Sequence, residues 1–150
     1  MLDTGTWRRF RNLILLALPV AFVIGLLGTL NIVKAEESLE YQLAAIDAGR
    51  SVPEDDITVV QFRGLLSDLS SDYVENKQQI ADMSAVAQMI LEENGIKESL
   101  LNIMVGMRRL VFSESETQQY AICVAAYVAL RNSGESHSGA INELRTMYGL

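Results

Sequence analysis

An uncharged apolar run near the N-terminus limits the folds open to this chain. Residues 13–33 read LILLALPVAFVIGLLGTLNIV, 21 residues without a charged side chain. A helix of this length, rising about 1.5 Å per residue, spans roughly the 30 Å thickness of the hydrocarbon core of a bilayer. The sequence therefore predicts a single transmembrane helix over residues 13–33.

The charges beside this run predict its orientation. Three arginines and a tryptophan suited to the headgroup level precede it: Trp7, Arg8, Arg9 and Arg11. Only one basic residue, Lys34, follows the run before acidic residues begin. Because positively charged flanks stay in the cytoplasm, residues 1–12 are predicted to form a cytoplasmic tail. Residues 34–150 are predicted to form an acidic helical domain exported to the periplasm or the cell exterior.

A cleaved signal sequence is the alternative interpretation of the same run. Val33 and Ala35 suit the positions that a signal peptidase inspects, which would place cleavage after Ala35. The apolar core of a signal peptide is normally about 7 to 15 residues long, so the longer run favours a retained anchor. Cleavage would keep the orientation but release the domain to the periplasm.

The distribution of charge restricts the partners of the exported part. Residues 1–35 hold 4 basic and 1 acidic side chains, whereas the remainder holds 8 basic and 18 acidic ones. Because nucleic acids are bound chiefly through Lys and Arg, we expect no nucleic-acid binding, and anionic lipid surfaces would repel this part. A protein partner or a homo-oligomer is expected instead, and the sequence identifies no small-molecule ligand.

Helical spacing dominates the chain beyond residue 35. Apolar residues recur every three or four positions, and no convincing alternating strand pattern is present. Ser113 and Glu116 form a capping-box pattern that predicts the start of a helix. The inner face of that helix is expected to carry Tyr120, Cys123, Val124, Tyr127 and Leu130. The predicted fold class is all-α: an N-terminal single-pass transmembrane helix, or long signal sequence, followed by a small bundle of five or six helices.

Residues 54–94 allow two structures. Their apolar positions are separated alternately by three and four residues, a heptad pattern that, taken literally, gives one long helix. Ser70, Ser71 and Asp72 could instead end one helix and cap another, which we favour because a long rod has little to pack against in a small domain. The residues of the predicted helix-seam interface are Leu69, Tyr73, Asn76, Ile80 and Met83. On an unbroken seam Asn76 would fix register and partner number, whereas beside a break it would lie near a helix cap.

Few side chains suit catalysis or metal binding. The chain has 1 Cys and 1 His, which excludes an intramolecular disulfide and any zinc site that needs two thiolates. His137 lies in a short polar stretch whose neighbours generally point apart, so we predict a loop in which Ser136 or Ser138 caps the last helix. Cys123 is predicted to be a core residue, with an intermolecular disulfide as the alternative. We predict no catalytic residue, no cofactor and no metal.

Two functions follow from this pattern. The first is a non-enzymatic, membrane-tethered helical domain that acts through protein contacts in an exported compartment. The second is a secreted helical carrier or inhibitor, released by cleavage after Ala35, that binds a small apolar ligand or another protein. The absence of ordinary acid, base, nucleophile and metal arrangements from the sequence places an enzyme third.

Overall fold

The computed structural model describes residues 38–110 and 118–150, and in these ranges it confirms an all-α domain of six helices. The helices are α1 (Leu39–Ala48), α2 (Ile57–Asp72), α3 (Lys77–Glu93), α4 (Leu100–Arg108), α5 (Tyr120–Asn132) and α6 (His137–Tyr148). The described ranges contain no helix that is both long and apolar enough to cross a membrane. Several predictions fall outside the described ranges: the run 13–33, Trp7, Arg8, Arg9, Arg11, cleavage after Ala35, and the Ser113–Glu116 capping box. The helix that this box was predicted to start begins later, at Tyr120, with Gln119 as its N-cap residue.

Local side-chain chemistry sets most of the helix boundaries. Ser38 precedes α1 and its hydroxyl accepts a hydrogen bond from the Tyr41 amide, while Gly49 ends the helix with φ at 62°. This left-handed conformation suits glycine, which has no Cβ to clash with the backbone. Asp56 caps α2 by accepting from Thr58 N at 2.9 Å. Ser136 caps α6 by accepting from Gly139 N at 3.0 Å, as predicted.

The long heptad segment folds as two helices. After Asp72 the chain turns into an extended conformation at Tyr73, whose hydroxyl donates to the Met107 carbonyl at 2.9 Å. Helix α3 then starts with a reciprocal capping box between Asn76 and Gln79, with both hydrogen bonds at 3.0 Å. The capping box satisfies backbone groups that a continuous helix would have used for its own hydrogen bonds. Asn76 is therefore an exposed cap residue.

The core lies among all six helices, and α3 packs against α5. The Tyr120 hydroxyl lies 2.6 Å from Ser84 Oγ, and Ser84 itself donates to the Ile80 carbonyl at 2.7 Å. The phenol must therefore be the donor to Ser84, which joins α5 to α3 inside the core. Helix α2 contacts α1, α3 and α4, and α6 covers α4 and α5. The largest fully buried side chains are Tyr120, Tyr127, Phe62, Leu66, Leu69, Ile80, Leu91, Leu100, Ile103, Met104 and Met107.

Candidate functional sites: a buried polar cluster and an open helix face

Four polar side chains meet where α5 and α6 pack against the segment between α3 and α4. They are Glu98, Tyr127, Arg131 and His137, and we refer to them as the Glu98 cluster. Arg131 donates from Nη1 to Glu98 Oε2, and the same nitrogen lies 3.2 Å from the Tyr127 hydroxyl. His137 Nδ1 lies 2.8 Å from that hydroxyl and 3.5 Å from Glu98 Oε2. One carboxylate therefore connects the α3–α4 segment with two helices that come later in the chain, α5 and α6.

The ion pair at the centre of the cluster is shielded from solvent. The side chains of Glu98 and Arg131 are 8% and 11% exposed, respectively. Burial disfavours the charged form of Glu98, but hydrogen bonds from Asn102 and Arg131 and the charges of His137 and Arg131 outweigh it, so its pKa lies below the usual range. Arg131 Nε is buried without a hydrogen-bond partner in the described residues. Glu98 and Arg131 therefore form a buried ion pair, and both oxygens of the carboxylate accept hydrogen bonds from neighbouring side chains.

His137 is the titratable group of the cluster nearest to neutrality. Burial lowers its pKa, the Glu98 carboxylate opposes that effect, and the positive charges of Arg131 and Arg109 add to it; the net result is a lowered pKa. At neutral pH the imidazole is therefore uncharged. Nδ1 shares a hydrogen bond with the Tyr127 hydroxyl, which also accepts from Arg131 and lies 3.5 Å from Glu98 Oε2.

Acid is expected to destabilise the fold through this histidine. Because the folded pKa of His137 is lowered, the unfolded chain binds a proton first, and stability falls as pH drops below about 6.5. The lowered pKa of Glu98 acts in the same direction, but only below about pH 4.5. Urea unfolding of the full chain in mild detergent should therefore show a lower midpoint at about pH 5.5 than at about pH 7.5.

A His137→Gln variant tests the assignment, because the chain contains 1 His. Its unfolding midpoint should change much less between the same two pH values. An equal decrease in the variant and the parent protein would show that another group causes the acid sensitivity.

A glutamate outside the Glu98 cluster caps a helix that lies far from it in sequence. The N-cap residue of α5, Gln119, makes no side-chain cap. Glu75, from the turn between α2 and α3, takes over: its two carboxylate oxygens accept from Tyr120 N at 2.8 Å and from Ala121 N at 3.1 Å. A carboxylate at this position also complements the positive end of the helix dipole. Similarly, Asp47 at the end of α1 accepts from the first amide of α4 at 2.5 Å.

Removal of the Glu75 carboxylate should weaken the contact between the α2–α3 turn and α5. A Glu75→Ala change leaves two backbone donors without their partner, so we expect a loss of about 1–2 kcal/mol in the free energy of unfolding. Glu75→Gln retains one acceptor oxygen and should lose less. Urea titration followed by far-UV circular dichroism measures both; equal stability of Glu75→Ala and the parent would contradict the capping role.

Four of the five predicted seam residues lie in the core of the domain, and the fifth caps a helix. Leu69, Tyr73, Ile80 and Met83 are buried among the chain's own helices. Asn76 is on the surface and caps α3. The cysteine and the predicted inner face of α5 lie in the core as expected, and burial raises the pKa of the Cys123 thiol to about 11. The described ranges contain no group of three or more His, Cys, Asp or Glu side chains placed to hold a metal ion.

The outward face of α2 carries exposed residues that do not belong to the predicted seam. Ile57 and Val60, in its first turns, are 68% and 51% exposed. Three small exposed residues continue the same face toward the end of the helix: Gly64, Ser67 and Ser71. Their spacing of three and four residues is helical, so the five positions form one stripe, which we call the α2 open face. It lies opposite the buried face that carries Val59, Phe62, Leu66 and Leu69.

Residues 44–148 match a family model described as MoxZ, a region that spans all six helices apart from the first half of α1. No curated protein and no solved structure matches.

Proposed function

We propose that this chain, which belongs to the MoxZ family, is a non-enzymatic helical domain that is held at a membrane by residues 13–33 and acts through protein contacts in an exported compartment. The proposal rests on where polar and apolar side chains lie in the described part of the chain. The observation that carries it is the α2 open face, where two branched apolar residues are exposed.

The side chains best suited to act as a base or a nucleophile are buried or hydrogen-bonded to other side chains. Glu98 accepts from Arg131 and Asn102, His137 faces the Tyr127 hydroxyl, and the Cys123 thiol is buried. A general base must reach a proton on a bound substrate, and a nucleophile must be accessible. These groups instead join α5, α6 and the α3–α4 segment, so we assign the Glu98 cluster a structural role.

The exposed apolar side chains favour a binding role. Ile57 and Val60 each leave a branched side chain in water, although the helix that carries them has a well-packed inner face. Exposed apolar residues that are contiguous on one element are typical of interaction surfaces. A domain tethered by residues 13–33 would present this surface to other proteins near the same membrane.

Membrane attachment is tested by fractionation and by a topology reporter. The full chain should stay in the membrane pellet after an alkaline carbonate wash, and deletion of residues 13–33 should prevent this. A reporter fused to the C-terminus should be active only in the exported compartment. A soluble mature protein that begins at residue 36 would instead support the secreted carrier or inhibitor, and a reporter active in the cytosol would contradict both.

Contact through the α2 open face is tested by photo-crosslinking in living cells. A photoreactive amino acid at Val60 should give crosslinked protein adducts, whereas the same group at Glu143, an exposed position on α6, should not. Equal adduct yields at the two positions would contradict a specific surface on α2.

A further inference from the structure

We propose that the partner of the α2 open face is a second copy of this chain, paired with its α2 parallel to the first. The inference rests on the proposed protein-contact function and adds the identity of the partner and the register of the contact. Three features of α2 carry it: a glycine without an internal role, the spacing of the stripe, and the signs of the charges beside it.

Gly64 has no function that the fold of a single chain explains. It lies within α2, where glycine is the least favourable residue apart from proline. A Cβ added there meets no atom within 4 Å, so no neighbouring element requires its absence. Glycine in the middle of an exposed helix face allows the backbone of another helix to approach closely. The flanking Ser67 and Ser71 extend this small surface.

The stripe has the spacing of a coiled-coil seam. Ile57, Val60, Gly64, Ser67 and Ser71 follow one another at intervals of three, four, three and four residues. These intervals correspond to alternating a and d positions of the heptad. In a parallel pair each of these positions meets its own equivalent, so both copies contribute the same surface to a symmetric contact.

The charges beside the stripe are complementary in the parallel arrangement. Arg63 takes a g position and Asp68 the following e position, and in parallel coiled coils such positions pair between chains. Two-fold symmetry would give two Arg63–Asp68 bridges between the copies. In an antiparallel pair like flanks meet: Arg63 could then face only Asp56, the N-cap residue of α2, and Asp68 would find no basic residue on its own flank of the helix.

Both charges are available to a partner, although each has an internal neighbour. Arg63 Nε lies 3.9 Å from Glu40 Oε1, and Asp68 Oδ2 lies 3.1 Å from Arg108 Nη1. Their side chains nevertheless remain 61% and 52% exposed, respectively. A bridge between copies would add to these contacts at the edges of the seam.

The size of the surface sets the strength of the contact. A stable interface generally buries about 800 Å² on each partner, involving roughly 20–30 residues. Five seam residues and their flanking charges on one 16-residue helix fall short of that. The dimer should therefore be weak in dilute detergent. Two copies anchored in one bilayer in the same orientation gain effective concentration, and that orientation favours parallel helices.

Disulfide crosslinking of the full chain in native membranes tests both the partner and the register. Val60→Cys and Ser67→Cys, made separately, should each give an oxidant-dependent dimer of twice the chain mass. The positions are seven residues apart, roughly 10 Å along a helix, so an antiparallel pair cannot bring both to their own equivalents. Glu143→Cys on α6 is the control and should remain monomeric; the native Cys123 is buried.

Two sets of further changes exclude collisional crosslinking. Gly64→Glu, a better helix former than glycine, should lower the dimer yield of Val60→Cys roughly tenfold while the helical content is kept. Arg63→Asp alone and Asp68→Arg alone should each lower it roughly fivefold, and the double exchange should restore it. These bridges exist only between copies, since residues five apart on one helix do not face each other.

The outcomes separate this inference from the function on which it rests. Disulfide adducts only with a different protein would overturn self-pairing and leave the protein-contact function standing. Crosslinking at one cysteine position but not the other, yields unaffected by Gly64→Glu, or no dimer at either position would also overturn the parallel pair. Release of the chain from membranes by carbonate would contradict the tether, whatever the crosslinking result.

Discussion

Replacement of Glu98 by Gln is expected to lower the free energy of unfolding by about 3 kcal/mol. The substitution keeps the shape of the side chain but removes its charge, and Arg131 is then left as a largely buried cation without its counter-ion. The same change removes the carboxylate beside His137. Urea unfolding of the full chain in mild detergent, followed by far-UV circular dichroism, measures the loss.

An exposed ion pair in the same domain provides the control. Asp68 Oδ2 and Arg108 Nη1 lie 3.1 Å apart, but both side chains are about half exposed. Because water and salt screen such a pair, Asp68→Asn should change the free energy of unfolding by less than about 0.5 kcal/mol. Similar effects of the two substitutions would show that burial does not set the strength of the Glu98–Arg131 pair.

Replacement of Arg131, the cation of this ion pair, provides a second test of the Glu98 cluster. Arg131→Met fills much of the same volume without charge, and together with Glu98→Gln it eliminates the buried ion pair completely. Since a buried pair replaced by neutral side chains can be nearly neutral in stability, the double variant should be more stable than Glu98→Gln alone. A double variant that sums the two single losses would argue against direct coupling.

The helices of this domain were predictable because their signals are local. Ser136 and Gly49 act on backbone groups within a few residues, so their roles can be inferred from sequence. The helical spacing of apolar residues likewise predicted the inner face of α5, and its Cys123 and Tyr127 are buried. The break after Asp72 was the favoured alternative, and the cap formed by Asn76 follows from the same short-range chemistry.

The polar contacts between distant elements could not be predicted in the same way. Glu75 caps a helix 45 residues later, and Glu98 meets Arg131 across 33 residues. Nothing in the local sequence distinguishes these glutamates from the many acidic residues that face solvent, because their partners become neighbours only after the helices pack. His137 was predicted to lie in a polar loop, but it begins α6 and joins this network.

The two faces of α2 illustrate a further limit on what periodicity in the sequence can predict. Both the buried residues and the exposed stripe recur at intervals of three and four, so periodicity alone identifies an amphipathic pattern without showing which face enters the core. The larger apolar residues were the better guide: Phe62, Leu66 and Leu69 pack inside. The exposed Ile57 and Val60 were noticeable only once the packing of α2 against α1, α3 and α4 was known.

Substitution of Phe62 by Ala is expected to cost about 3–5 kcal/mol of unfolding free energy, comparable to the total stability of many small domains. Phe62 is fully buried on the inner face of α2, so its removal loses apolar burial and leaves a cavity that the surrounding helices fill only in part. Val60→Ala, two positions away on the open face, is the matched control. Its side chain is half exposed, and Ala favours helix, so we expect a change within about 0.5 kcal/mol in dilute detergent.

The pair of variants also separates folding from assembly. Phe62→Ala should unfold the domain at lower urea at every protein concentration, because it acts on the core of a single chain. Val60→Ala should keep the urea midpoint and reduce only the disulfide dimer that Ser67→Cys forms in membranes, because it acts on the proposed surface between copies. If Val60→Ala instead destabilised the dilute protein as strongly as Phe62→Ala does, the exposed stripe would be part of the folding core, and an interaction surface on α2 would be untenable.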